Sequence, residues 1–275
     1  MKIFKSISSI QKYLSKQSEI AFIPTMGNLH QGHLSLIRKA KKPKTCIVVS
    51  IFINRLQFND KKDFASYPKT LKQDLEYLKN ECVDAVFIPT EQEMNTNHSE
   101  FKLSFFNLEY QLCDAFRPGH FEGVITIVMK LCNIIQPHYL FLGKKDYQQL
   151  FILKNLMREF CYPIKIMAVP TKREKNGLAM SSRNGLIQKK YTTKISELYN
   201  ELMQIKKTCK SLIHIKKVEL RAFQNLTKNG WIVDYVSVRS QKTLLSPKNN
   251  EKKLVALIAA HLGNVRLIDN IEFCI

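Results

Sequence analysis

Long apolar runs are missing from this chain: no stretch reaches the ~18 consecutive apolar residues that a membrane-spanning helix needs, which argues against a membrane protein. The opening residues Met1-Lys2-Ile3-Phe4-Lys5 carry no apolar core of the secretory kind, so the expectation is a cytoplasmic protein with no membrane partner. Patterned cysteine is missing too. The seven cysteines are odd in number, scattered and without a C-x-x-C pair. Most sit in apolar segments and read as small buried hydrophobes of a reducing compartment. No G-x-G-x-x-G, Walker-type loop, internal repeat or low-complexity tract occurs. Acidic residues are few, 23 against 43 Lys and Arg, leaving a formal charge of +20.

That surplus could signal nucleic acid, since Lys and Arg supply the phosphate contacts that dominate such binding. The lysines, however, are dispersed. Clusters such as Lys39-Lys41-Lys42-Lys44, Lys61-Lys62, Lys206-Lys207 and Lys252-Lys253 fall at predicted helix ends and loops. Aromatic and basic residues do not interleave as in single-strand binders. No specific nucleic-acid partner is expected; attraction for small anions follows more directly.

What the sequence does contain centres on Pro24-Thr25-Met26-Gly27-Asn28-Leu29-His30-Gln31-Gly32-His33. An apolar run, Ile20 to Ile23, precedes it, and Leu34, Leu36, Ile37 and Ala40 follow at helical spacing, giving strand, tight loop and amphipathic helix. A helix N-terminus offers unpaired N–H groups and partial positive charge. His30 and His33 share one face of the first turn, and Gly32 lets a ligand approach the backbone. The group reads as a polyphosphate holder with two imidazole donors and free amides. The alternatives are a surface helix with two incidental histidines, or half of a zinc site, although no Cys or carboxylate cluster lies near.

At 275 residues the chain can form one large domain or two moderate ones. Residues 1–19 read as a short helix before the first strand. Thr45 to Phe52 reads as a strand covered on both faces. Asn54 and Gln57 lie just beyond it, where open α/β sheets bind ligands, though a plain loop fits the spacing as well. A polar stretch, Asn59 to Ser66, leads to a helix on Leu71, Leu75, Leu78 and Cys82, then a strand at Ala85 to Ile88. Residues 90–100 read as irregular and Phe101 to Leu112 as extended. A turn at Arg117-Pro118-Gly119-His120-Phe121 opens a helix that Pro137 stops. Tyr139 to Leu142 is a strand, and Gly143-Lys144-Lys145-Asp146-Tyr147-Gln148-Gln149 leads directly into a helix. That is either a second anion-holding corner or a solvated helix start. After a strand at Ile164 to Val169, the loop Pro170 to Gly185 carries Ser181, Ser182 and Arg183, all able to donate to phosphate oxygens. Helices at 192–211 and 216–228 and three strands joined partly by Gly263-Asn264 complete the chain. The expectation is a doubly wound, parallel α/β sheet over residues 1–170, with a smaller α+β domain over 171–275.

These stretches, with Ser50-Ile51-Phe52-Ile53-Asn54 and Gln57-Phe58, recur in the order found in the pantothenate synthetase family of the H-x-G-H nucleotidyltransferase superfamily, which the sequence resembles from about residue 3 to Leu267-Ile268-Asp269-Asn270. The resemblance implies a Rossmann-like fold and a two-step ligation. Pantoate's carboxylate attacks the α-phosphate of ATP, with Mg²⁺ held mainly by the phosphates, to give pantoyl adenylate and pyrophosphate; β-alanine then displaces AMP. By the same resemblance His30 and His33 contact phosphates, helped by N–H groups near Gly32 and His33, and Lys145 bridges phosphate oxygens with Ser181, Ser182 and Arg183. The nucleotide set is Met26, Gly27, Asn28, Leu29, His30, Gln31, Gly32, His33, Gly143, Lys144, Lys145, Asp146, Lys172, Met180, Ser181, Ser182 and Arg183. Asp146 holds the ribose side and Lys172 contacts adenine through its backbone. Asn54, Gln57 and Gln149, with Pro24 and Met26, match positions around pantoate and β-alanine. The family further implies a homodimer and no metal ligand among the side chains.

Two positions depart from the family pattern. Arg55 stands where proline is usual and is expected to loosen the loop carrying Gln57; Lys144 replaces a glutamate beside Lys145. Three rivals remain at this point. An adenylyl- or cytidylyltransferase shares H-x-G-H but gives no reason for paired Gln57 and Gln149. A class I aminoacyl-tRNA synthetase needs a longer chain. A basic RNA-binding protein accounts for the charge alone.

Overall fold

Alternating apolar runs and helical periods set the order of elements. The computed structural model describes every residue except 97–100, 102 and 105–111, together with the side chains of Lys61 and Lys62. The expected irregular stretch 90–100 lies partly, and the expected extended segment Phe101 to Leu112 mostly, outside the described residues. In chain order the elements are β1 (Lys2–Phe4), α1 (Ile7–Leu14), β2 (Ile20–Thr25), α2 (Gln31–Ala40), β3 (Cys46–Ile51), α3 (Lys61–Ser66), α4 (Leu71–Asn80), β4 (Ala85–Phe87), α5 (Cys113–Phe116), α6 (His120–Ile135), β5 (Tyr139–Gly143), α7 (Tyr147–Glu159) and β6 (Lys165–Val169). Then follow α8 (Glu197–Thr208), α9 (Ile215–Lys228), β7 (Ile232–Ser240), β8 (Lys253–Leu262) and β9 (Val265–Cys274).

The described residues form two compact units. The first takes those of Met1–Asn107, Arg117–Lys144 and Gln149–Pro170; the second takes those of Leu108–Phe116, Lys145–Gln148 and Thr171–Ile275. In the first unit β1-β4-β3-β2-β5-β6 form one sheet, and the paired strands run parallel. Side chains alternate between sheet faces. Ala21 and Ile23 of β2 pack with Leu34, Ile37 and Leu78 of α2 and α4, while Phe22 between them is fully buried. α6 packs against β2, and α1 packs on α6. All six residues of β3 are buried, which accounts for its continuous apolar reading.

Two sequence expectations need correction, at β1 and at Cys82, and two short helices, α3 and α5, carried no sequence signal. A strand, β1, precedes α1; three residues paired with Ala85–Phe87 are too few to show a period. The polar stretch 59–66 contains α3, and the short helix α5 opens at Cys113. Cys82 does not continue α4: the helix ends at Asn80, and Cys82 is exposed with φ 55°. Cys161 and Cys274 are exposed as well, whereas Cys46, Cys113, Cys132 and Cys209 are buried as expected.

In the second unit β7, β8 and β9 form an antiparallel sheet, and Gly263 (φ 59°) turns the β8–β9 hairpin. Leu198, Leu202, Val218, Ala222 and Leu226 of α8 and α9 pack on Ala256, Ile258 and Ala260. Trp231, 2% exposed, satisfies its indole by donating to Glu197 Oε2 at 2.7 Å.

Glu219 of α9 gives a pH-dependent contribution to this unit. Its side chain is 16% exposed and accepts from the Val238 N–H at 2.7 Å. Burial raises its pKa above the ordinary carboxylate value, against the lowering effects of that bond and of Lys216 and Arg239. A raised folded-state value means that the stabilisation is complete below the unfolded pKa and is lost as pH rises through the folded one. Glu219→Gln keeps the acceptor and removes the titration. Its melting temperature relative to the parent should rise from acid to neutral pH in calorimetry; an offset that does not change with pH would refute this.

Candidate active site

The H-x-G-H stretch folds as strand, turn and helix. After Thr25, which donates to the Ser50 carbonyl at 2.7 Å, the chain passes Gly27 and Asn28 with φ of 84° and 49° and enters α2 with His30 as N-cap. His30 Nδ1 accepts from the Gly32 N–H at 3.1 Å, and His33 Nδ1 accepts from the His30 N–H at 3.3 Å. Each ring thus serves as an acceptor at Nδ1, which places the proton of the neutral imidazole on Nε2. The rings lie 4.1 Å apart between centroids and tilted by 39°. This corrects one expectation: the Gly32 amide is not free, because His30 takes it. The amides of Asn28 and Leu29 are also engaged, by Asp74 Oδ2 at 3.0 Å and Oδ1 at 2.7 Å. The Leu29 side chain belongs to the core, Gln31 is exposed, and Pro24 is half-buried near the end of β2.

Asn54, Gln57 and Met26 come together in the first unit. Asn54, 1% exposed, caps a 3-10 turn (Arg55–Gln57), with Oδ1 accepting from the Leu56 N–H at 3.1 Å. Its Nδ2 donates to Gln57 Oε1 at 2.9 Å and to the Gly123 carbonyl at 3.0 Å. Gln57 Nε2 lies 3.1 Å from Met26 Sδ. The Gln57 carbonyl accepts from His120 Nδ1 at 2.7 Å and from Arg117 Nη2 at 3.3 Å, while Arg117 Nη1 lies 3.1 Å from His120 Nε2. Gly123 of α6 permits the approach: a Cβ there would sit 2.2 Å from the Leu56 carbonyl oxygen. Exposed Arg55 stands in this loop, which is held through the Gln57 carbonyl and through Asn54. Gln149 lies half-buried on α7 of the same unit.

The other expected residues lie elsewhere. β5 ends at Gly143, where a Cβ would meet open space, and the Lys144 N–H donates to the Val169 carbonyl at 2.8 Å. α7 starts only at Tyr147, so Lys144 and Lys145 occupy the turn ahead of the helix rather than its first turn. In the second unit Lys145 Nζ lies 3.6 Å from Asp146 Oδ1, with side chains 19% and 50% exposed. The Lys145 carbonyl accepts from Asn270 Nδ2 at 2.8 Å. The loop after β6 folds back on itself: Arg173 bridges to Ala179, and the Lys172 carbonyl accepts from the Met180 N–H at 3.0 Å. Ser181 Oγ accepts from the Arg183 N–H at 3.2 Å, and Met180, Ser181, Ser182 and Arg183 are all half-buried. Arg173 anchors the loop with a two-pronged ion pair to Asp269 at 2.6 and 3.0 Å.

Sequence reasoning did not single out Asp74, or Arg173 with Asp269. Arg117 and His120 appeared only inside a matching motif. Among the described residues no cluster of three or more His, Cys, Asp or Glu could hold a metal ion.

The family model of pantoate–β-alanine ligases matches residues 2–272. Pantothenate synthetase of Methylobacillus flagellatus is 44% identical over 276 residues, covering 100% of this chain and 99% of the relative. That of Neisseria meningitidis is 44% identical over 274 residues, 99% of each. Among solved structures, pantoate–β-alanine ligase (pantothenate synthetase) of Thermus thermophilus superposes with a TM-score of 0.90 at 32% identity, covering 98% of this chain and 99% of that one. A pantoate–β-alanine ligase from Francisella tularensis, complexed with β-γ ATP and β-alanine, gives 0.82 at 34% identity, with 98% and 97% covered. With the model spanning nearly the whole chain and relatives this similar along nearly all of their length, the chain belongs to the pantoate–β-alanine ligase family.

Proposed function

We propose that this ligase, which joins pantoate to β-alanine with ATP, works through a pantoyl adenylate. A pantoate carboxylate oxygen attacks the α-phosphorus, an O–P bond forms, and the bond to the β-phosphate oxygen breaks to release pyrophosphate. The β-alanine amine, having lost its proton, then attacks the acyl carbon, an amide bond forms, and AMP leaves with the phosphate-linked oxygen. A carboxylate is already ionised at neutral pH, so the first step calls for alignment and charge stabilisation rather than an enzyme nucleophile.

The paired imidazoles at the start of α2 carry this reading. Their Nδ1 atoms accept from backbone N–H groups, so Nε2 is the donor nitrogen of each neutral ring, beside a helix N-terminus suited to phosphate oxygens. Lys145, Ser181, Ser182 and Arg183 supply further donors to the nucleotide, Asp146 serves the ribose, and Lys172 serves adenine through its backbone. Gln57 and Gln149 pair with the hydroxyl and carboxylate groups of the acid and amine substrates, Met26 and Pro24 line that pocket, and Asn54 acts there by orienting Gln57. Mg²⁺, held mainly by the ATP phosphates rather than by protein side chains, would supply partial neutralisation of their charge. Residues 1–170, apart from the segments 108–116 and 145–148 that group with the second unit, form the nucleotide- and pantoate-binding domain and 171–275 the smaller one; the protein works as a cytoplasmic homodimer.

Product analysis tests the sequence of steps. AMP and pyrophosphate should form only when pantoate is supplied, and pantothenate only when β-alanine is added too. Release of ADP and inorganic phosphate would rule out the adenylate.

A further inference from the structure

Two consecutive left-handed residues, Gly27 and Asn28, turn successive backbone N–H groups to one side. Such a turn is a small anion receptor. Its anion here is internal. Asp74 of α4, 1% exposed, accepts from the Asn28 N–H at Oδ2 (3.0 Å) and from the Leu29 N–H at Oδ1 (2.7 Å). The Thr70 hydroxyl lies 3.2 Å from both carboxylate oxygens. The fit is close: a Cβ on Gly27 would lie 3.1 Å from Asp74 Oδ2. Burying a carboxylate is costly unless its oxygens are hydrogen-bonded, and these amides provide that. They belong to the two residues immediately before His30, the N-cap of α2.

We propose that Asp74 is a positioning residue for ATP: by holding the Gly27–Asn28 turn it fixes where α2 begins and where the two imidazoles point. It touches no substrate itself, and the inference rests on His30 and His33 serving the phosphates. The alternative is that Asp74 acts on ATP only through its charge. The two have opposite signs. A buried negative charge near a polyphosphate weakens binding, so neutralising it would improve ATP kinetics; loss of positioning makes them worse.

Asp74→Asn separates them, because it keeps the shape and removes the charge. Its amide nitrogen must face the N–H of Asn28 or Leu29, donor against donor, so the turn loses one bond and the imidazoles shift. We expect kcat/KM for ATP to fall by about ten- to a hundredfold, with KM for β-alanine unmoved and a folded circular dichroism spectrum at the assay temperature. An ATP efficiency that is unchanged or improved overturns the proposal. So does a parallel loss toward ATP and β-alanine, which a general loss of structure would give. If Asp74→Asn does not fold, Thr70→Ala replaces it; it should lower kcat/KM for ATP several-fold with β-alanine untouched, and a parental value overturns the idea. His33→Ala, run alongside, isolates the premise: undisturbed ATP kinetics there would remove the site assignment and this inference with it, whereas a strong loss there with a parental Asp74→Asn removes only the inference.

Discussion

Lys145→Ala should nearly abolish adenylate formation, whereas Lys144→Glu should change the apparent affinity for ATP only a few-fold. The lysines are neighbours in the turn ahead of α7, so only their surroundings distinguish them. The Lys145 ammonium is largely covered and lies beside Asp146. Its carbonyl is held by Asn270, so truncating the side chain leaves the backbone anchor in place. Removing a charge-assisted contact that tightens in the transition state costs on the order of 3 kcal/mol, or ~100-fold in rate. Lys144 is tied to Val169 through its backbone, and on our proposal its charge influences ATP only through the local field, an effect below about 1 kcal/mol that salt screens. The Lys144→Glu change should therefore matter less at high ionic strength. Steady-state kinetics of both variants at two salt concentrations decide it. Equal damage from the two would show that the family role of Lys145 has been carried to the wrong residue.

Asp269→Ala should cost the second unit about 3–5 kcal/mol, because it leaves the Arg173 guanidinium covered and without its counter-charge. Arg173 also donates to the carbonyls of Gly177 and Asn270 and lies over the Tyr199 ring at 4.1 Å, so it cannot swing out to water without giving up those contacts. The melting transition should fall by roughly 10 °C. Replacing both partners, as Arg173→Met with Asp269→Leu, should recover only part of that loss: no unpaired charge stays buried, but the carbonyls of Gly177 and Asn270 lose their donor. Calorimetry of single and double variants reads the result. A single variant that melts with the parent would show that the pair contributes nothing.

The parts of the fold legible in the sequence are those with local signals. Ile20 to Ala40 announced strand, turn and helix because apolar runs change period across a Gly-containing loop, and His30 sits at the boundary so marked. Gly263-Asn264 marked its hairpin in the same way. Elements too short to carry a period, β1 and α5, were invisible. The contacts that shape the candidate site were hidden for another reason. Asp74 lies on an amphipathic helix, where a carboxylate reads as solvated, and its partners are 45 and 46 residues away. Arg173 and Asp269 are 96 apart. Nothing in either local stretch says that a charge is buried there.

The bond from Asn270 to the Lys145 carbonyl has a consequence for building hybrids of related ligases. A graft joined at residue 170 takes that lysine from one parent and the amide that holds its backbone from the other. The 145–148 segment and β9 are thus one inheritance unit split by more than a hundred residues of chain. A cassette meant to exchange the C-terminal sheet alone would exchange half of the lysine's mounting as well. Any recombination scheme for this family should move both pieces together.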